Sequence, residues 1–137
     1  HDVEIGNHVI ISISVNIAGH AEVDDYAIIG GCTPIHQFCK VGKHAFIGGG
    51  RLILQDVPPY ILATGEPLRY AGVNSVGLRR RNFSPSSRAQ IKKAYSLIYQ
   101  SELNISQAVD KIKNDFERTD EIDVILEFIE RSDRGLI

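Results

Sequence analysis

The sequence predicts a mainly β chain: a parallel β-helix built of six-residue repeats, followed by a C-terminal α-helical domain. Three observations predict it. Every sixth residue from Ile5 onward is a branched aliphatic, through Ile11, Ile17, Val23, Ile29, Ile35, Val41 and Ile47 to Ile53. A lone strand repeats every two residues and a helix about every 3.6, so an unbroken period of six marks a repeat architecture. Two places before each aliphatic stand Val3, Val9, Val15, Ala21, Ala27, Thr33, Cys39, Ala45 and Arg51, small in all but the last, as a narrow prism demands. Beyond Pro58-Pro59 the six-residue period is gone, and from Ser84 the apolar spacing is helical.

Three repeats close one triangular coil of 18 residues, so residues 3–56 hold three coils, stacked about 4.8 Å apart. Gly6, Gly30, Gly42 and Gly48 each follow their aliphatic directly, where a corner is expected to need backbone freedom. Asp56-Val57-Pro58-Pro59-Tyr60 reads as the end of the ladder, because two prolines remove two donors. The expected organisation is β-helix coils over 1–60, an irregular connector over 61–83 carrying Arg79-Arg80-Arg81, and a helical domain over 84–137. Ser84 is an N-cap with Pro85 in the first helical position, and Ile91, Ala94, Tyr95 and Ile98 share one face of a helix over 85–100. A second helix starts at Asn104 or Ser106, with Ala108, Val109, Ile112 and Phe116 apolar. A third spans 120–131, with Ile122, Ile125, Leu126 and Ile129 on one side and Gly135 as its stop.

The chain has 137 residues and a net charge of −2, so bulk charge gives no reason to expect nucleic acid. No segment is long and apolar enough for a transmembrane span. Cys32 and Cys39 are too few for a disulfide framework, which fits a reducing, cytoplasmic compartment, and Cys39 falls in the core column as a small buried hydrophobe. There is no methionine, and the chain opens partway through a repeat; it reads as the C-terminal part of a longer protein.

The six-residue register also places the histidines. His1, His20 and His36 fall two, three and one places after the aliphatics of one face, so they share an edge on successive coils, within roughly 10 Å. His8 and His44 share a different edge and carry no expected role. Imidazole is suited to proton transfer near neutral pH and is a common metal ligand. Asp2, beside His1, could orient its ring, although neighbouring residues of a strand point oppositely.

Asn16-Ile17-Ala18-Gly19-His20, Ile28-Ile29-Gly30-Gly31, His36-Gln37-Phe38, Gln55-Asp56-Val57-Pro58-Pro59-Tyr60, Gly72-Val73-Asn74, Gly77-Leu78-Arg79-Arg80-Arg81 and the terminal Arg134-Gly135-Leu136-Ile137 together resemble the UDP-N-acetylglucosamine acyltransferases, a hexapeptide-repeat family. The resemblance covers essentially the whole chain. It implies a left-handed β-helix, against the usual hand of parallel crossovers, and a homotrimer with active sites between subunits. It implies transfer of a 3-hydroxyacyl group from acyl carrier protein to the 3-hydroxyl of UDP-N-acetylglucosamine, the first step of lipid A biosynthesis. Neither a metal nor a cofactor beyond the carrier's phosphopantetheine is expected. On this resemblance His1 is the general base, paired with Asp2, and His20 and the backbone beside it lie at the thioester. His36 and Gln37 contact the sugar nucleotide, Asn74, Arg80 and Arg81 lie around its uridine and phosphates, and Gly49 bears on acyl-chain length. Ile13, Arg51 and Val76 depart from the family pattern. Two other readings compete: a non-catalytic trimeric scaffold that binds a ligand, and a metal-dependent enzyme like the γ-carbonic anhydrases, for which the helical tail and arginine run have no use.

Overall fold

A computed structural model describes residues 1–137. Eight two-residue strands follow one another at six-residue intervals: β1 (Glu4–Ile5), β2 (Ile10–Ile11), β3 (Asn16–Ile17), β4 (Glu22–Val23), β5 (Ile28–Ile29), β6 (Pro34–Ile35), β7 (Lys40–Val41) and β8 (Phe46–Ile47). Each pairs in parallel with the strand one coil on. Ile5 lies opposite Val23 and Val23 opposite Val41 on the first face; Ile11 opposite Ile29 and Ile29 opposite Ile47 on the second; Ile17 opposite Ile35 on the third. The three faces make the expected left-handed parallel β-helix with 18 residues per coil. Val23, Ile29, Ile35, Val41, Ile47 and Ile53 fill the prism, none more than 2% exposed, together with Ala21, Ala27, Thr33, Cys39 and Ala45. Ile5 and Ile11, at the open end of the stack, are 50% and 37% exposed.

The corners differ from the expectation. The left-handed backbone does not fall on the residue after each aliphatic but two places later: Asp2, His8, Ser14, His20, Tyr26, Cys32, Phe38 and His44 all have φ between 55° and 64°. Such a conformation costs a side-chain-bearing residue on the order of 1 kcal/mol. The glycines after the aliphatics answer to crowding instead. A Cβ on Gly30 would lie 2.4 Å from the Gly49 amide nitrogen, and one on Gly42 would lie 2.5 Å from that of Pro59.

The two prolines do not end the ladder. Ile53 still bridges Ile35, but Val57 bridges Val41, and β9 (Ile61–Thr64) runs parallel to β8 with Ala63 opposite Ile47. The Val57 amide donates to the Lys40 carbonyl, and the Val57 carbonyl accepts from Gly42. Two residues have been lost between Ile53 and Val57, so the repeat resumes out of phase, with Tyr60 as its left-handed corner at φ 70°. The segment 61–83 is therefore not irregular. It holds β9, the antiparallel strand β10 (Arg69–Val73) and a short helix α1 (Ser75–Arg80) that carries Arg79 and Arg80.

The remaining helices are α2 (Pro85–Tyr99), α3 (Ile105–Asp115) and α4 (Asp120–Arg131). Ser84 caps α2, Asn104 and Gln107 form a capping box on α3, and Thr119 caps α4. Ile91, Ala94, Tyr95 and Ile98 are the buried residues of α2, as the spacing predicts. On α4 the buried set is Ile122, Ile125, Leu126 and Phe128, with Ile129 only half-buried. Gly135 does not stop α4, which ends at Arg131; it lies in a later turn that returns the chain to Asp56. There Asp56 bridges Leu136, its amide donating to the Gly135 carbonyl.

Polar contacts fasten this domain to the prism. The Tyr95 hydroxyl donates to the Pro59 carbonyl, and the Arg131 guanidinium spans Glu22 and Asp24 on the first face. Fully buried Asp56 accepts from the Lys40 amide at 2.8 Å, the Ser132 hydroxyl and the Arg134 amide at 3.2 Å. Charge-assisted bonds of this kind contribute about 1.5–3 kcal/mol each, and a stranded buried donor is costly. Asp56→Ala is expected to lower unfolding free energy by about 2–4 kcal/mol, with Asp56→Asn losing less; urea titrations of both variants check this.

Candidate active site

The corner conformation stacks side chains 18 residues apart. Between the third and first faces the stacked column is Asp2, His20 and Phe38. The His20 and Phe38 rings are parallel, their centroids 4.8 Å apart, close to the strand spacing of about 4.8 Å. The His1 ring meets His20 edge-on at 5.1 Å. Its Nδ1 lies 2.8 Å from the Asp2 carboxylate, which is also 3.9 Å from His20 Nε2. The left-handed turn at Asp2 brings these two neighbours together where an extended strand would have splayed them. With Nδ1–H donating to Asp2, His1 Nε2 is left as the basic nitrogen. The His20 amide donates to the His1 carbonyl, whereas the Gly19 amide donates to no backbone carbonyl. One ligand atom from each of His1, Asp2 and His20 lies within 4.8 Å of the others, so these three could hold a metal ion.

His36 and Gln37 occupy the same corner one coil further on, His36 Nδ1 lying 3.1 Å from the Gln37 carbonyl oxygen. The ring that packs on His20 belongs to Phe38, not to His36. Gly49 lies at the third corner, exposed, where a Cβ would stand 2.8 Å from the Gly31 carbonyl oxygen.

Asn74, Arg80 and Arg81 gather elsewhere, in a cleft of about 260 Å³ lined also by Ile28, Phe46 and Leu62 of the second face and by Val76. One chain thus keeps the His1 corner and the arginine cleft apart. Asn74 is buried and committed at both ends of its amide: Nδ2 donates to the His44 carbonyl at 3.0 Å, and Oδ1 caps α1 through the Gly77 amide. Arg80 is exposed and makes no ion pair. Arg81 lies 3.2 Å from His44 Nδ1 through one guanidinium nitrogen, with its Cζ 5.4 Å from the centre of the Tyr26 ring.

His44 was given no role by its sequence position, yet it is the centre of a second stacked column. His8, Tyr26, His44 and Tyr60 follow one another at 4.9, 4.8 and 5.7 Å, and Phe83 meets His44 edge-on. The signal that could have found it is the 18-residue spacing of His8, Tyr26 and His44, the same spacing that separates His20 from Phe38. Burial, then the charges of Arg81 and Lys43, lower the His44 pKa to about 4 against a smaller opposing effect of Asp25. A ring with so lowered a pKa favours the neutral form at pH 7, in which an unprotonated Nδ1 can accept from Arg81.

The fold and these corners define the class, a hexapeptide-repeat β-helix with a helical C-terminal domain. The family described as UDP-N-acetylglucosamine O-acyltransferase, domain 2, matches residues 56–137. The acyl-[acyl-carrier-protein]–UDP-N-acetylglucosamine O-acyltransferase of Thiobacillus denitrificans is 38% identical over the whole chain, and this chain covers 53% of it. The crystal structure of LpxA, a UDP-N-acetylglucosamine acyltransferase from Bacteroides fragilis, superposes over the whole chain with a TM-score of 0.98 at 45% identity, 54% of that protein being covered. The corresponding enzyme of Francisella novicida gives 0.96 at 37%, with 50% of it covered. The chain belongs to the UDP-N-acetylglucosamine O-acyltransferase family, and it spans about half the length of the curated relatives it matches.

The neutral His44 has a consequence for stability. The unfolded chain takes up this proton near pH 6.5, the native chain only near 4. Between those values the unfolded state binds more protons, so stability falls as pH falls. The contribution is complete above about pH 6.5 and is lost on the way down to about 4, at a slope of at most about 1.4 kcal/mol per pH unit. Melting temperatures across that range are expected to decline less steeply in His44→Phe than in the parent.

Proposed function

We propose that the protein transfers a 3-hydroxyacyl group from acyl carrier protein to the 3-hydroxyl of UDP-N-acetylglucosamine, the opening step of lipid A biosynthesis, in the cytoplasm. The observation that carries the reading is the His1–Asp2 pair at 2.8 Å, set beside His20 in a chain of this family. Asp2 holds His1 in the tautomer that exposes Nε2. Nε2 removes the proton from the sugar hydroxyl as its oxygen attacks the thioester carbonyl. The Gly19 amide, which donates to no backbone carbonyl and belongs to a residue where a Cβ would stand 3.1 Å from His1 Nε2, is available to the developing oxyanion. The carbon–sulfur bond then breaks, and the proton held by His1 passes to the departing sulfur. His20, held flat by Phe38, stands near the thioester. His36 and Gln37, one coil on, extend the same corner toward the sugar, and Gly49 bears on the length of acyl chain accepted.

The reading includes a homotrimer. The second face displays Ile10, 55% exposed, and Phe46, 40% exposed, in line with Ile28 and Leu62, whereas the first displays Glu4, Glu22 and Lys40 beneath the C-terminal tail. Two more copies about an axis parallel to the prism would cover this apolar face. A partner's His1 corner laid against it would meet the cleft that holds Arg80 and Arg81, completing a site that one chain leaves divided. The arginines suit a diphosphate, which they can grip in a forked geometry.

In the full-length protein, His1→Ala is expected to lower turnover by about 10²–10⁴-fold while sugar-nucleotide binding is kept; unchanged turnover would remove His1 as the base. Arg80→Ala should raise the Michaelis constant and flatten its salt dependence, with Arg80→Lys recovering part of the loss. Phe46→Glu should shift the assembly from trimer toward monomer in light scattering, and activity should fall with the trimer fraction.

A further inference from the structure

We propose that His44 is a positioning residue: it fixes the Arg81 guanidinium for a substrate phosphate while leaving that guanidinium its full charge. The inference rests on the reading of Arg81 given above. Two features of the geometry support it. First, His44 anchors both ends of α1. Its carbonyl accepts from Asn74, the N-cap, and its ring nitrogen lies 3.2 Å from Arg81, the residue that closes the helix. Second, the plane of the ring is held. It is stacked between Tyr26 and Tyr60 and met edge-on by Phe83, and in that plane Nδ1 faces Arg81.

The choice of partner matters chemically. A carboxylate would also hold the guanidinium, but its charge would cancel the field offered to a phosphate and compete for the same donors. A neutral imidazole accepts one hydrogen bond and cancels nothing. Burial and the cations Arg81 and Lys43 keep His44 neutral over the working pH range, Asp25 being the one opposing charge. The Tyr26 ring beneath the guanidinium adds a second neutral support. Arg81 is thus held by groups that restrict its motion without neutralising it, and its remaining N–H donors stay free beside the cleft.

Two substitutions in the full-length protein separate hydrogen bonding from stacking. His44→Phe keeps a ring in the column and removes the acceptor. His44→Asn keeps an acceptor close to the Nδ1 position and tolerates the left-handed backbone, where φ is 58°. Binding is measured by calorimetry with UDP-N-acetylglucosamine in one arm and 4′-phosphopantetheine in the other, with Arg81→Ala alongside. The expected result is about a tenfold loss in one arm for His44→Phe, comparable with Arg81→Ala, substantial recovery in His44→Asn, and a non-additive double variant. The arm that responds names the phosphate. If Arg81→Ala weakens binding and His44→Phe does not, or if His44→Asn fails as badly as His44→Phe, the positioning role is wrong. If Arg81→Ala changes neither arm, the phosphate assignment of Arg81 fails first, and the inference with it. Imidazole nitrogen NMR of the unsubstituted protein gives a test that needs no variant to fold: a proton on His44 Nδ1 at pH 7 would overturn the proposal.

Discussion

Main-chain hydrogen bonds join each coil to the chain 18 residues on, or 16 where the last coil has lost two, and this register decides what can touch what in the prism. It puts branched aliphatics over branched aliphatics inside. Outside, it puts corner residue over corner residue, separated by the strand spacing. The ring distances of 4.8–4.9 Å in both stacked columns are that spacing seen through side chains. A side chain on a corner therefore has its position set by the backbone before any local contact is made. The cost is a left-handed conformation at residues such as Phe38 and Tyr26, which only a continuous ladder on both sides can hold in place. His20 and His44 sit on these corners, so the backbone sets the direction of both rings.

The helical domain is tied to the same register through a few polar contacts. Asp56 stands at the point where the repeat loses two residues. Its carboxylate takes up the Lys40 amide from the prism together with Ser132 and Arg134 from the tail. Arg131 reaches Glu22 and Asp24 one coil below, and Lys40 pairs with Asp133 at 3.1 Å. For Asp24 burial outweighs its arginine, and the carboxyl pKa is raised rather than lowered. The ion pairs of Arg131 and Lys40, unlike the Asp56 bonds, are better understood as fixing where the tail lies than as a large source of stability. Their effect is to cover part of the first face, while the apolar second face stays open.

The parts legible in the sequence are those that depend on period alone. The aliphatic column, the buried stripe of α2 and the caps at Ser84 and Asn104 are local patterns with one solution each. The shared corner of His1, His20 and His36 came from the same counting. What the count missed was phase. Losing two residues between Ile53 and Val57 hides the continuation of the prism, because Ala63 and Tyr60 fall out of step with everything before them. The prolines that suggested an end sit in a corner that asks no donor of them, so the ladder passes through. For Asn74 the structure adds a role that the sequence does not display: its buried amide caps α1 and holds the His44 carbonyl at once. The surroundings of His44 are not local in sequence, because they are made by neighbours 18 and 37 residues away, Tyr26 and Arg81.

The division of labour between corners follows from charge. The His1 corner is open, and the base proposed there needs an accessible nitrogen and a carboxylate that favours the protonated ring as it forms. Asp2 supplies that carboxylate beside His1, within 4 Å of His20 as well. The His44 corner has the opposite requirement. There the imidazole must stay unprotonated beside an arginine, so it is buried, flanked by cations and stacked between rings. On the reading proposed above, the same residue type performs opposite tasks on two edges of one prism, and solvent access with the sign of the nearest charge separates them. Bringing the two corners together requires a second chain, because the first face and its covering tail lie between them in one copy. In the proposed trimer the apolar second face is thus more than a surface to be covered: placing a partner on it is the step that would bring a proton acceptor and a phosphate grip to one substrate.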